Sequence, residues 1–172
     1  VRRLLRHLAL SRAYQLDSHA QAGSDPKWFA SGLAKPLTAE SLYRSFQVAL
    51  DVTDPEGWNA GPKRALFASL FPDVLSEESL ANVSQGLWLT NSEPIREMVS
   101  TRNSKVLQDV LRVEESEALV DRLFVKIMGR QPDEDEKKHC VSFLSARAEN
   151  RQAAVESLTW ALITSAEFRF NH

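Results

Sequence analysis

The chain has 172 residues, enough for one ordinary hydrophobic core, and its 43% hydrophobic and 26% charged content is typical of a globular rather than a disordered protein. The net charge of −2 excludes an overall field that would recruit nucleic acid, and six glycines are few for the tight turns of an all-β protein. The single cysteine, Cys140, excludes a disulfide within the chain and a Cys-x-x-Cys-His haem site, and a buried structural thiol is the favoured interpretation of it.

The first predicted helix covers about residues 2–14, with apolar side chains on one side and arginines on the other. The residues predicted to face inward are Leu4, Leu5, Leu8 and Tyr14. The arginines of the other side are Arg2, Arg3, Arg6 and Arg12. We interpret them as a solvated helix face rather than a nucleic-acid or membrane patch, because no aromatic residues interleave with them. Since the chain opens within this helical pattern, we expect it to be a fragment of a longer protein, with a partly uncovered apolar patch that favours self-association.

A loop with Trp28 and a second loop with Trp58 flank the next predicted helix. Thr38 is its predicted cap, with Glu40 in the first turn. Its apolar stripe consists of Leu42, Tyr43, Phe46, Ala49 and Leu50.

Four shorter apolar patterns follow, and each predicts a helix. One begins near Pro62, one is capped by Ser76 and contains Leu87 and Trp88, and one begins near Pro94 after a break at Asn91. The fourth is short and carries Val106, Leu107, Val110 and Leu111.

The last third has the clearest helical patterns. The first stripe consists of Ala118, Leu119, Leu123, Phe124 and Ile127, and Gly129 follows it as a helix C-cap. Asp133 and Glu136 have the spacing of a capping box at the start of the next helix. The final helix carries Ala154, Val155, Leu158 and Leu162, and it stops at a Ser-x-x-aromatic step.

Strand signals are nearly absent, so the sequence predicts an all-α fold, a compact irregular helical bundle with no sheet larger than two short strands. Residues 1–172 are expected to form a single helical domain, with 1–112 and 113–172 as possible sub-units. The predicted core residues are Leu8, Phe46, Leu87, Leu123, Phe124, Phe143, Leu158 and Leu162.

Five segments carry a resemblance to a known family, and they are residues 10–18, 35–42, 85–92, 123–132 (ending Gly-Arg-Gln-Pro) and 160–172 (ending Phe-Arg-Phe-Asn-His). Together they resemble the uncharacterised C-terminal domain of large exported planctomycete proteins, which is often joined to a planctomycete-type cytochrome c domain and an immunoglobulin-like domain. The resemblance implies an exported or cell-envelope bacterial protein of unknown role, with any signal sequence and haem upstream of this chain. It supplies no catalytic residues. The chain departs from the family pattern between residues 51 and 84 and at Thr164, where Asn is common.

No catalytic or metal constellation is visible. His7, His19, His139 and His172 lack the spacing of a helical metal site, so we expect solvated or capping histidines and neither a metal nor a cofactor. The carboxylates of residues 133–136 share one environment at a helix start, which favours capping over acid–base catalysis.

A few residues are candidates for binding. Loop tryptophans can stack on sugars or dock partners, although loops pinned to the core by one large ring are the favoured interpretation. Asn171 and His172 at the end of the sequence either close a motif of the family or bind the tail to the core by hydrogen bonds. The candidates are Trp28, Trp58, Asn91, Asn171 and His172. Trp88 and Trp160 are predicted to be core or half-buried.

The first functional hypothesis is a non-catalytic helical interaction or structural module of a larger exported protein. The alternative is part of an envelope enzyme acting on polysaccharide, with its active site completed outside this chain. The expected partners are sibling domains of the parent protein, and a separate protein or a carbohydrate remains an alternative partner. We expect no nucleic acid, since DNA binding would need a second basic helix beside the arginines of the first. We also expect no membrane span, because no run approaches the roughly 20 apolar residues that a span needs.

Overall fold

A computed structural model describes residues 1–16, 35–52 and 91–171, and this part of the chain is built from helices joined by short turns. The helices are α1 (Arg2–Ala9), α2 (Ala39–Leu50), α3 (Glu93–Val99), α4 (Lys105–Leu111), α5 (Ser116–Ile127), α6 (Glu134–Ser145), α7 (Arg151–Thr164) and α8 (Ala166–Arg169). A 3-10 turn, Ala148–Asn150, precedes α7. Two strands of two residues each, β1 (Lys35–Pro36) and β2 (Phe170–Asn171), pair antiparallel. The prediction of an all-α helical bundle is therefore confirmed. The helices predicted near Pro62 and Ser76 lie outside the described residues.

Several helices begin where the local sequence predicts. The Thr38 hydroxyl accepts from the Ser41 amide at 3.2 Å and starts α2. At the start of α6, Asp133 Oδ1 accepts from the Glu136 amide at 2.7 Å while Glu136 Oε2 accepts from the Asp133 amide at 2.9 Å. The predicted capping box is therefore confirmed, and it satisfies two amides that the helix leaves unpaired. Further side-chain caps are Ser104, Asn150 and Ser165.

Two helix ends use a left-handed backbone. Gly129 follows α5 with a φ of 73°, a conformation that costs glycine little, and the predicted role at the helix end is confirmed. Asp51 ends α2 with a φ of 46°, and Asp is one of the few other residues that adopt this region.

The helix α7 lies at the centre of the bundle. It contacts α3, α4, α5, α6 and α8, and its buried residues are Ala154, Val155, Leu158, Thr159 and Ile163. Phe46 from α2 and Phe124 from α5 are the largest fully buried side chains of the described core, and they are 0% and 2% exposed. A helix near the end of the chain thus organises the packing of the elements that precede it.

Most of the predicted core is confirmed. Phe46, Leu123, Phe124 and Leu158 are buried, while Phe143 and Leu162 are half-buried against the core. The half-buried position predicted as one option for Trp160 is also observed. Leu87 and Trp88 lie outside the described residues.

One of the predicted core residues is wrong, since Leu8 is 53% exposed. Ala118, the first residue of the stripe predicted for α5, is also exposed.

The C-terminal segment is fastened to the first half of the chain. The Leu37 amide donates to the Arg169 carbonyl at 2.8 Å, next to the β1–β2 pair, where Lys35 lies opposite Asn171. The rings of Phe46 and Phe168 stack with centroids 5.5 Å apart. Among the described residues, no helix is long and apolar enough to cross a bilayer.

Candidate functional site

Three exposed leucines lie together on one side of α1, which we call the leucine face (Leu4, Leu5 and Leu8). These side chains are 63%, 58% and 53% exposed, and no residue of α1 is buried. Because successive helical residues are rotated by about 100°, the three leucines share one side of the helix. The predicted grouping is right, but the prediction that they and Tyr14 face the core is wrong. Periodicity identifies which residues share a face, and it carries no information on what that face meets.

The opposite side of α1 is basic. Arg2, Arg3, Arg6 and His7 project away from the leucine face, and Arg12 lies in the turn that follows, where it is also exposed. The first sixteen residues contain four arginines and no Asp or Glu. Since the chain has 21 Lys and Arg against 23 Asp and Glu, removing these four leaves 17 against 23 for the rest. The leucine face is therefore carried by a positively charged helix on a chain that is otherwise negative.

The end of α1 is closed by its own neighbours. The Leu10 amide donates to the Arg6 carbonyl at 3.0 Å, the Ser11 hydroxyl donates to the Leu8 carbonyl at 2.7 Å, and Gln15 Nε2 reaches the Ala9 carbonyl at 3.2 Å. These bonds satisfy carbonyls that the helix leaves unpaired. The exposed leucines thus lie on a capped helix with a defined end.

A second feature is the guanidinium of Arg130, which holds two carboxylates. Its Nη1 and Nη2 donate to the two oxygens of Glu136 at 2.7 Å each, while its Nε and Nη2 donate to Glu167 at 2.6 and 2.7 Å. Hydrogen bonds from Arg130 hold the pKa of Glu136 below its ordinary value, and the two carboxylates raise the pKa of Arg130. Such forked ion pairs are directional as well as strong. The cluster joins the α5–α6 turn to α8, so its role is to hold the C-terminal segment.

A carboxylate on α7 plays a similar structural part. Burial pushes the pKa of Glu156 upward, but hydrogen bonds from the amide and hydroxyl of Thr101 and from Gln152 outweigh it and keep the pKa below its ordinary value. The Thr101 amide lies 2.8 Å from Glu156 Oε1. An ionised Glu156 accepts hydrogen bonds and so holds the α3–α4 turn in place. A general acid at this position would instead need a raised pKa.

The predicted binding candidates are scattered. Trp28, Trp58 and His172 lie outside the described residues, as does His19. Asn91 is exposed just before Ser92, the residue that precedes α3, whereas Asn171 lies in β2. The two asparagines therefore belong to separate elements.

The described histidines and the cysteine lie on the helices α1 and α6. His139 Nδ1 lies 2.7 Å from the Asp135 carbonyl one turn earlier, and His7 is exposed on α1. Cys140 is half-buried, and burial together with the nearby Glu136 raises the pKa of its thiol, which favours the protonated form. Within the described ranges, no group of three or more His, Cys, Asp or Glu side chains is arranged to hold a metal ion.

Sequence reasoning missed two arrangements. One is the Arg130 cluster, whose only local signal is a Gly-Arg step placed just before a capping box. The other is a cleft between α2, α4 and α5, whose charged residues are separated in sequence and meet only in the fold.

Comparison of the chain with models of known protein families, with curated proteins and with solved structures finds no match.

Proposed function

We propose that the chain is a non-catalytic helical interaction module of a larger exported bacterial protein, and that α1 docks it onto a sibling domain of that protein. The observation that carries the proposal is the leucine face, where three large apolar side chains of one capped helix are each more than half exposed. Contiguous apolar patches of this kind mark sites of protein interaction.

The size of the face suits docking within one polypeptide. Fully burying a leucine contributes about 1.5–3 kcal/mol, so covering three half-exposed leucines contributes roughly 3–5 kcal/mol. Association of two free proteins costs about 4–15 kcal/mol in lost translational and rotational freedom, so a contribution of this size would not hold free partners together. Between tethered domains the linker already supplies an effective concentration on the order of millimolar, and the same contribution favours docking.

The charges on α1 favour a particular kind of sibling surface. Arginine forms planar, forked contacts with carboxylates and is enriched in protein interfaces, whereas lysine is depleted there. The first sixteen residues contain four arginines and no lysine. The surface that receives α1 should therefore be an apolar groove edged by carboxylates. The exported location and the parent protein are supported by the five segments that resemble the planctomycete family.

Amide hydrogen exchange tests the proposal. We expect the α1 amides to exchange rapidly in this chain and at least about tenfold more slowly in the intact parent protein, because docking must be undone before exchange. The amides of Val155 and Ile163 in α7 serve as the control, since they should be protected in both proteins. Equal exchange of α1 in the two proteins would contradict the proposal.

A further inference from the structure

A cleft of about 210 Å³ lies where the C-terminal end of α2 meets α4 and α5. A water molecule occupies about 30 Å³ of liquid, so the cleft has room for about seven water-sized groups, which is roughly the size of a small amino acid. It contains both cationic and anionic side chains together with apolar ones, a composition that suits a ligand with more than one kind of group.

The cationic side of the cleft is formed by α5. Arg122 and Lys126 are one turn apart on the same face of the helix, and both are exposed. Like charges at this spacing repel each other. Within the described part of the chain, neither side chain forms an ion pair or a hydrogen bond. The two cations are therefore available to an anionic group in the cleft.

The anionic side is formed by Asp51 and Asp109. Asp51 ends α2, where the last carbonyls of the helix add partial negative charge, and its carboxylate has no ion-pair partner among the described residues. Asp109 contacts Arg112 at 3.3 Å in a pair that is mostly exposed and therefore weak. This side of the cleft suits an ammonium group.

The junction of α2 and α4 beside the cleft is held by a buried hydroxyl. The buried Ser104 hydroxyl donates to the Leu50 carbonyl at 2.7 Å and accepts from the Leu107 amide at 3.2 Å, so it joins the end of α2 to the start of α4. Val48, which is 81% exposed, forms an apolar edge.

We propose that this cleft binds a small zwitterion, and that aliphatic α-amino acids are the class that fits it. The carboxylate lies toward Arg122 and Lys126, the ammonium toward Asp51 and Asp109, and the aliphatic side chain against Val48. This site lies on other elements than the leucine face, so it does not depend on the docking of α1.

Titration of the chain followed by proton–nitrogen correlation NMR tests the proposal. The probes are L-valine, isovalerate, which lacks the ammonium, and isobutylamine, which lacks the carboxylate. We expect L-valine to shift the amides of Val48, Asp51, Asp109 and Lys126 with half-saturation on the order of millimolar, and each analogue to need at least roughly fivefold more. Equal half-saturation for the three probes, or shifts confined to other amides, would overturn the proposal.

Variants separate the cleft from general charge effects. Lys126→Gln and Asp51→Asn should each raise the half-saturation concentration of L-valine at least roughly fivefold. Asparagine adopts the left-handed backbone at least as readily as aspartate, so the end of α2 is kept. Lys138→Gln is the matched control, because Lys138 is an exposed cation on α6, and its titration should be unchanged. Unchanged titrations for both cleft variants would refute the assignment.

Discussion

Replacing Glu167 by glutamine should loosen the C-terminal segment without unfolding the chain. Glu167 accepts from Arg130 Nε at 2.6 Å and from Nη2 at 2.7 Å. Hydrogen bonds to charged groups contribute about 1.5–3 kcal/mol, and exposed ion pairs contribute only about 0.2–1 kcal/mol. The Arg130 and Glu167 side chains are 37% and 40% exposed, so the free energy that this pair contributes should lie between those two ranges. We expect a loss of about 1–2 kcal/mol for the docking of α8 and β2.

The amide of Leu37 reports on this loss. It donates to the Arg169 carbonyl, so it exchanges with solvent when the C-terminal segment detaches. A loss of 1–2 kcal/mol corresponds to exchange about 5- to 30-fold faster at Leu37. Glu149→Gln is the control, because Glu149 is an exposed carboxylate in the 3-10 turn and should leave Leu37 unaffected. If Leu37 exchanges equally in wild type and Glu167→Gln, the ion pair does not hold the segment.

Three further results are expected. Phe124→Ala should lower the free energy of unfolding, measured in urea, by about 3–5 kcal/mol because the ring is buried. Val125→Ala is the control and should lower it far less, because the Val125 side chain is 45% exposed. A loss under about 1 kcal/mol for Phe124→Ala would contradict its place in the core. Leu5→Glu should reduce the self-association of the chain measured by light scattering at matched concentration, and equal scattering would show that the leucine face takes no part in it. The pKa of Glu136 is lower in the folded chain than in the unfolded chain, where it is near 4.5. The ionised side chain therefore contributes fully to the free energy of unfolding above that pH, and the contribution is lost as the pH falls through the pKa of the folded state. Urea titrations of Glu136→Gln should therefore show a weaker fall in stability across that acidic range, and a slope like that of wild type would count against the pairing.

The caps and stripes were predictable because they depend on residues that are neighbours along one helix. Thr38, Asp133 and Gly129 begin or end their helices for reasons that lie within a few residues of each. The same holds for Phe46 and Phe124, each of which lies in the middle of a strong apolar stripe.

The features that bear on function were not predictable because they depend on where separate elements meet. The leucines of α1 have the same helical spacing as those of a buried helix, so the pattern alone could not show their exposure. Asp51 and Lys126 line one cleft although they are far apart in sequence. Arg130 joins Glu167 in the same way, and no local rule relates these positions.

The pairing of Lys35 with Asn171 has a consequence for biosynthesis. During synthesis α2 can pack on α3, α4 and α5 as they emerge, but Phe46 meets its stacking partner Phe168, and β1 its partner β2, only after α7 has been made. Translation that stops before residue 151 would leave out α7 and expose the residues of α3, α4, α5 and α6 that pack on it. Quality-control proteases would therefore recognise such a product by the same apolar residues that form the core of the folded domain.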